Sequence, residues 1–137
     1  GITSDLIEGF EKSGKSQLSV MEVKGPDISK YGVIMSNKET GLVTGLIEKP
    51  NFENAPSNLA SIGRYILTPD IFDILRNQTI GVADEIQLAD SINAQAVNNM
   101  VETVLLNGKR FDCGSVEGYI DAIKYVSHNY KFGRNLL

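Results

Sequence analysis

Two short stretches carry the side chains best suited to chemistry: Glu48-Lys49-Pro50, closing the run LVTGLIEKP, and Asp112, within KRFDCGS from Lys109 to Ser115. An apolar run that delivers an acid, a base and then a proline fixes both charges at a strand exit, because proline has no N–H to continue a ladder. There a carboxylate can accept hydrogen bonds from hydroxyls and an ammonium can neutralise a phosphate. The same pair also fits a solvated strand end. Asp112 follows a strand-like run and precedes a turn into a helix, and ligands of α/β sheets bind at such carboxyl ends. An oxygen ligand in that place suits Mg²⁺, which takes one or two carboxylates plus phosphate and keeps several waters. It equally suits a turn carboxylate bonded to the Gly114 and Ser115 amides. We read the two stretches as half of one polar site whose other half lies outside the chain.

Gly32 and Gly63 interrupt strand patterns, as glycines do at bulges or where a ligand or backbone approaches closely, and a bulge is the expectation for each. Asp84 and Glu85 open a helical stretch, where acids complement the dipole. Cys113 has no histidine near it in sequence, so a thiol nucleophile is disfavoured and a small packing residue is expected. His128 is expected to meet the last carbonyls of a helix or solvent. The chain has no GxGxxG loop, no GxxxxGK loop followed by Ser or Thr, and no Ser-His-Asp arrangement.

These residues need elements to hold them. The 137 residues suit one domain, with 42% hydrophobic and 22% charged content. A net charge of −4 without a basic run disfavours broad binding to nucleic acid or anionic membrane. One cysteine excludes an internal disulfide and fits a reducing cytoplasm. No apolar run is long enough to span a bilayer.

In order, a helix capped by Thr3 or Ser4 ends at Gly14. A strand with one buried side spans 16–24, and a helical turn runs from Asp27 to Lys30. Strands over 31–36 and 42–48 flank a hairpin loop at 37–41. A loop covers 50–57, and a strand over 59–67 is broken at Gly63. Thr68-Pro69-Asp70 starts a helix, with Thr as cap and Pro at the first position. A connector at 78–84, a helical stretch over 85–97, a strand over 101–106 and a helix capped by Ser115 follow, the last reaching about Asn129. The tail 131–137 is weakly specified. Alternating strands and helices with one hairpin indicate an α/β chain with a mixed sheet.

Together, KYGVI (30–34), GLIEKP (45–50), APSNLASIGRYILTPDIFDIL (55–75), DEIQLADSI (84–92) and GKRFDCGSVEGY (108–119) resemble the C-terminal half of the bacterial UTP–glucose-1-phosphate uridylyltransferases, across nearly the whole chain. The resemblance implies part of a nucleotide-diphospho-sugar transferase fold, Rossmann-like, without the N-terminal nucleotide-binding half and its GxGTRxxPxTK loop. The chain is therefore expected to be a fragment, inactive alone, with Gly1 near the point where that half ends. It implies a reaction of glucose 1-phosphate with UTP, giving UDP-glucose and pyrophosphate with Mg²⁺ as cofactor, in the cytoplasm. It implies that Glu48 holds sugar hydroxyls, Lys49 the sugar phosphate and Asp112 the Mg²⁺, with Lys49 and Asp112 catalytic. Gly32 would admit the glucose, and Gly63 and Glu85 would line or shape the sugar side. Asp84 departs from the small residue usual there. Exposed sheet edges would favour self-association or pairing with the missing half. The rival readings are a thymidylyl or adenylyl transferase of the same class, against which SNLASIGRY argues, and a non-catalytic sugar-nucleotide-binding or assembly module.

Overall fold

The computed structural model describes residues 1–37, 39–78 and 86–129. Helix α1 (Ile2–Ser13) leads into strand β1 (Ser16–Glu22), and a 3₁₀ turn (Gly25–Lys30) leads into the hairpin of β2 (Gly32–Ser36) and β3 (Val43–Glu48). Strand β4 (Leu59–Ile66), helix α2 (Ile71–Asn77), helix α3 (Leu88–Val97), strand β5 (Val101–Leu105) and helix α4 (Val116–Asn129) follow. The strands form one five-stranded sheet in the order β3-β2-β4-β1-β5. Only β1 and β5 run parallel, so the sheet is mixed, as the sequence implied. Length suggested a single domain; the structure has two compact units, Gly1–Asn107 and the segment from Gly108 onward. In the second, Tyr125 packs on Phe111, with 5.2 Å between ring centroids, and Lys109 Nζ sits 5.0 Å over the Tyr125 ring.

The sheet alternates its side chains between two faces. Leu18, Val20, Ile34, Val43, Leu46 and Val101 meet Ile92 and Ala96 of α3, while Val33 and Ala60 pack with Ile28 of the 3₁₀ turn. Burial of each large aliphatic side chain contributes about 1.5–3 kcal/mol. The expected single buried side of β1 is a miss, since Ser16 through Val20 are all buried. β1 lies between β4 and β5, and α1 packs against it, so Gln17 and Ser19 are enclosed despite their polarity. Each is satisfied. Gln17 Nε2 donates to Ser13 Oγ at 3.0 Å and to Glu102 Oε2 at 3.0 Å. Gly9 makes room for it, because a Cβ there would stand 2.7 Å from Gln17 Oε1.

Ser19 explains how β4 tolerates its interruption. The ladder steps from Leu18↔Tyr65 to Val20↔Ser61, so β4 bulges, and Gly63 inside the bulge has φ 75°. Ser19 Oγ donates to Arg64 O at 2.8 Å and accepts from Arg64 N at 3.3 Å, replacing the ladder bonds that the bulge removes. The bulge expected at Gly63 is present, whereas the one expected at Gly32 is not, since Gly32 pairs in regular register with Glu48.

The helix starts differ from the sequence reading. α1 begins at Ile2 with Gly1 as N-cap and no side-chain cap; the Gly1 carbonyl already receives the Asp5 N–H at 3.1 Å, so Thr3 and Ser4 lie inside the first turn. α2 begins at Ile71, not at Pro69, with no side-chain cap. The Thr68 hydroxyl is instead drawn into a buried network. Ser16 Oγ donates to Gln95 Oε1 at 2.8 Å and accepts from Thr68 N at 3.0 Å. Gln95 Nε2 donates to Thr68 Oγ1 at 2.8 Å and to Asp70 Oδ1 at 3.1 Å. This network ties β1, the start of α2 and α3 together without leaving a buried side-chain polar atom unpaired among the described residues. Asp84, Glu85 and the tail from residue 131 lie outside the described residues.

Two carboxylates are held below their ordinary range. Thr68 and then Gln95 outweigh the opposing effect of burial at Asp70. At Glu102 burial acts upward, and the bonds from Gln17 and Ser13 and the charge of Lys15 overcome it. A carboxyl whose folded-state pKa is depressed stabilises the fold above its unfolded value, about pH 4, and loses that contribution as pH falls through the lower folded value. Urea midpoints measured from pH 7 down to pH 3 are therefore expected to fall below about pH 4, less steeply in Asp70→Asn and Glu102→Gln. Parallel pH profiles for the parent and both variants would contradict this.

Candidate functional site

β3 closes the sheet at one edge and delivers Glu48 and Lys49 where regular pairing stops. The Lys49 N–H donates to Tyr31 O at 3.0 Å, Lys49 itself adopts φ 46°, and Pro50 is buried behind it. Left-handed backbone is unusual for a residue with a Cβ, and here it turns the chain out of the sheet. Glu48 and Lys49 are both exposed, and neither side chain has a hydrogen-bond or ion-pair partner among the described residues.

Gly32 stands opposite Glu48 in the hairpin. A Cβ on Gly32 would lie 2.9 Å from Glu48 Oε2 and 3.2 Å from Leu46 Cδ2, so the glycine makes room for the carboxylate to lie across β2. Glu48 forms part of a cleft of about 200 Å³ lined by Leu46, Tyr65, Gln87, Leu88, Ala89 and Ile92. Tyr65 enters it from β4, its hydroxyl 2.8 Å from Ser61 Oγ across the bulge. Gly63 is absent from this lining; its part is the bulge. The cleft thus offers a carboxylate, a phenol, the polar residue Gln87 and an apolar wall from α3, a composition suited to a polar ligand with some apolar surface. Sequence reading missed Tyr65 and the α3 wall; the break at Gly63 was the signal that β4 re-aims a side chain there.

The second unit holds Asp112. Its Oδ1 accepts the Gly114 N–H at 3.1 Å, while its carbonyl accepts the Ser115 N–H at 3.3 Å. Asp112 Oδ2 lies 4.0 Å from Arg110 Nη2, and the carboxylate is largely exposed. The turn reading of Asp112 is therefore correct for Gly114, whereas Ser115 is served by backbone. Ser115 caps α4 as expected, its Oγ accepting the Gly118 N–H at 3.1 Å. Cys113 is exposed rather than a packing residue. It is one of the residues lining an apolar cleft of about 350 Å³ along α4, with Tyr119, Ile123 and Val126. His128 is exposed. The structure brings Gly32 and Glu48 together beside Lys49, and Asp112 belongs to the other unit.

For Mg²⁺ the relevant observation is that Asp112 keeps oxygen lone pairs free of the Gly114 bond and open to solvent. One exposed carboxylate fits a hydrated ion shared with phosphate. Among the described residues no group of three or more His, Cys, Asp or Glu could hold a metal by itself.

A sequence model of nucleotidyl transferases matches residues 3–129. The chain belongs to this nucleotidyl transferase family. It is 42% identical over 137 residues to the UTP–glucose-1-phosphate uridylyltransferase of Pseudomonas aeruginosa, covering 97% of this chain and 49% of that protein. It is 38% identical over 136 residues to the enzyme of that name from Haemophilus influenzae, covering 94% of this chain and 46% of that one. A crystal structure of UDP-glucose pyrophosphorylase complexed with UDP-glucose superposes with a TM-score of 0.79 at 44% identity, over 90% of this chain and 48% of that one. The chain spans about half the length of these relatives. The resemblance drawn from its motifs is thereby supported in family and fold.

The left-handed Lys49 gives a direct test of the strand exit. Lys49→Gly is expected to be about 1 kcal/mol more stable than Lys49→Ala in urea unfolding, because only glycine adopts that conformation without a Cβ penalty. Equal stabilities would contradict the geometry.

Proposed function

We propose that this chain supplies the sugar-phosphate side of a UTP–glucose-1-phosphate uridylyltransferase. The observation that carries the reading is the Glu48-Lys49 exit: an acid lying across Gly32 beside a cleft, and an unpaired ammonium on a strained turn. A surface salt bridge would pair these charges. Here both are left available, as a site for a hydroxyl-rich phosphate requires. The similarity to uridylyltransferases and to a UDP-glucose complex supports the same assignment.

In the proposed reaction a phosphate oxygen of glucose 1-phosphate attacks the α-phosphorus of UTP in line, and pyrophosphate leaves. Such reactions are accelerated mainly by positioning and by offsetting charge. Glu48 accepts hydrogen bonds from sugar hydroxyls, and its carboxylate keeps its place because Gly32 has no side chain. Lys49 places its ammonium against the sugar phosphate and offsets charge on the oxygens that move. Gly63 shapes the sugar side through the bulge that aims Tyr65. Asp112 is the residue that would hold Mg²⁺, which when bound neutralises phosphate oxygens. The nucleotide-binding part of the site is assigned to sequence beyond this chain, so the chain by itself is inactive in this account. The outer edge of β5 has no strand partner among the described residues, which supports self-association or pairing with the other half of the enzyme. A free, exposed Cys113 suits a cytoplasmic setting. No helix among the described residues is long and apolar enough to cross a membrane.

Calorimetric titration of UDP-glucose with Mg²⁺ tests the assignment. Binding is expected, with Lys49→Ala weakening it at least roughly tenfold by loss of a charge-assisted contact. Gly32→Ala, which displaces the Glu48 carboxylate, is expected to weaken it while changing stability little. Binding that is indifferent to both substitutions would place the ligand elsewhere.

A further inference from the structure

The strand that presents Glu48 and Lys49 is an edge strand. Among the described residues its outward backbone groups have no neighbouring strand, and such edges fray or slip unless something holds them. At Leu46 the missing strand is replaced by one side chain. The Leu46 N–H donates to Asn93 Oδ1 at 2.6 Å, and Asn93 Nδ2 donates back to Leu46 O at 3.0 Å. A side-chain amide presents an acceptor and a donor side by side, as a backbone amide pair does, so Asn93 acts here as a one-residue strand. Gly45, next to Leu46, is buried, and the position its Cβ would take is 3.5 Å from Asn93 Oδ1. Asn93 follows Ile92 and lies one turn beyond Ala89, and these two with Leu88 form the α3 wall of the cleft that Glu48 enters.

We propose that Asn93 is a positioning residue that locks the register of β3 to α3 and thereby fixes Glu48 and Lys49 against the cleft wall. It touches no ligand; it acts through Leu46, two residues before Glu48. Without it the cleft wall and the strand exit would be joined at this edge by apolar packing of Val43 and Leu46 on α3, which is not directional and permits sliding. Its effect on binding rests on the reading of Glu48 and Lys49 as the sugar-phosphate site, whereas its effect on the strand does not.

The experiment has two readouts in the full protein: amide hydrogen exchange along β3, and affinity for UDP-glucose with Mg²⁺. Asn93→Ala is expected to speed exchange at the Leu46 amide and also at the Lys49 amide, whose bond to Tyr31 O lies at the strand exit. UDP-glucose should bind roughly tenfold more weakly, the scale of a lost, partly buried hydrogen-bonded pair. Asn93→Asp keeps an acceptor for the Leu46 N–H and is expected to recover part of both effects. Leu6→Ala, in the buried seat of α1, should lower stability without a selective change at Lys49 or in affinity. Faster exchange at Leu46 with an unchanged Lys49 amide would overturn the proposal, as would unchanged UDP-glucose affinity in Asn93→Ala. If the unmodified protein binds no UDP-glucose, the functional reading fails, and the Lys49 exchange alone decides the role of Asn93. If Asn93→Ala does not fold, Asn93→Asp decides: slowed Leu46 exchange with lost affinity overturns the proposal.

Discussion

The last strand of a sheet has backbone groups with nowhere to go, and the candidate site depends on how this chain answers that constraint. β3 carries the acid and the base at its end, and among the described residues it has a strand on one side only. Asn93 supplies the other side at Leu46, Pro50 closes the exit in a buried position, and Lys49 turns through a left-handed conformation. An interior strand would hold its register by hydrogen bonding alone, but its exit would be crowded by neighbours on both sides. The edge leaves Glu48 and Lys49 open while a side chain from α3 provides rigidity. Openness and order at one place therefore come from different elements.

The same division appears at the centre of the sheet. β1 is buried on both faces with serines and a glutamine among its inward residues, and each is matched by a specific donor or acceptor. A half-satisfied polar core would be worse than an apolar one. With all partners present, the network of Ser16, Thr68, Gln95 and Asp70 sets α2 and α3 relative to β1, and α3 then sets the wall of the cleft. The bulge bridged by Ser19 aims Tyr65 into that cleft. Polar residues that a hydropathy reading would place at the surface thus hold the walls of the site.

Much of this was legible in the sequence, and the failures share a cause. The hairpin, the bulge at Gly63, the Ser115 cap and the Glu48-Lys49 exit all rest on local chemistry: turn residues, a glycine in a strand, a hydroxyl before a helix, a proline after a strand. Motif resemblance carried the family. What could not be read depended on partners distant in sequence. Thr68 looked like a helix cap because its rivals, Ser16 and Gln95, are 52 and 27 residues away. β1 reads as a strand with one buried side because the partners of Gln17 and Ser19, among them Glu102 and Arg64, meet them only in the fold. Asn93 had no sequence signal, since its partner is the backbone of Leu46, 47 residues before it. Cys113 looked like a packing residue because the turn geometry that exposes it is not written in its side-chain type.

The central claim is that the exit of β3 receives the sugar phosphate. The most direct measurement is a ¹⁵N-resolved NMR titration of this chain with glucose 1-phosphate, with glucose and inorganic phosphate as separate probes. The account predicts shifts concentrated at Gly32, Glu48 and Lys49, with glucose 1-phosphate acting at lower concentration than either probe alone. Shifts confined to other surfaces, or equal responses to phosphate alone, would contradict it.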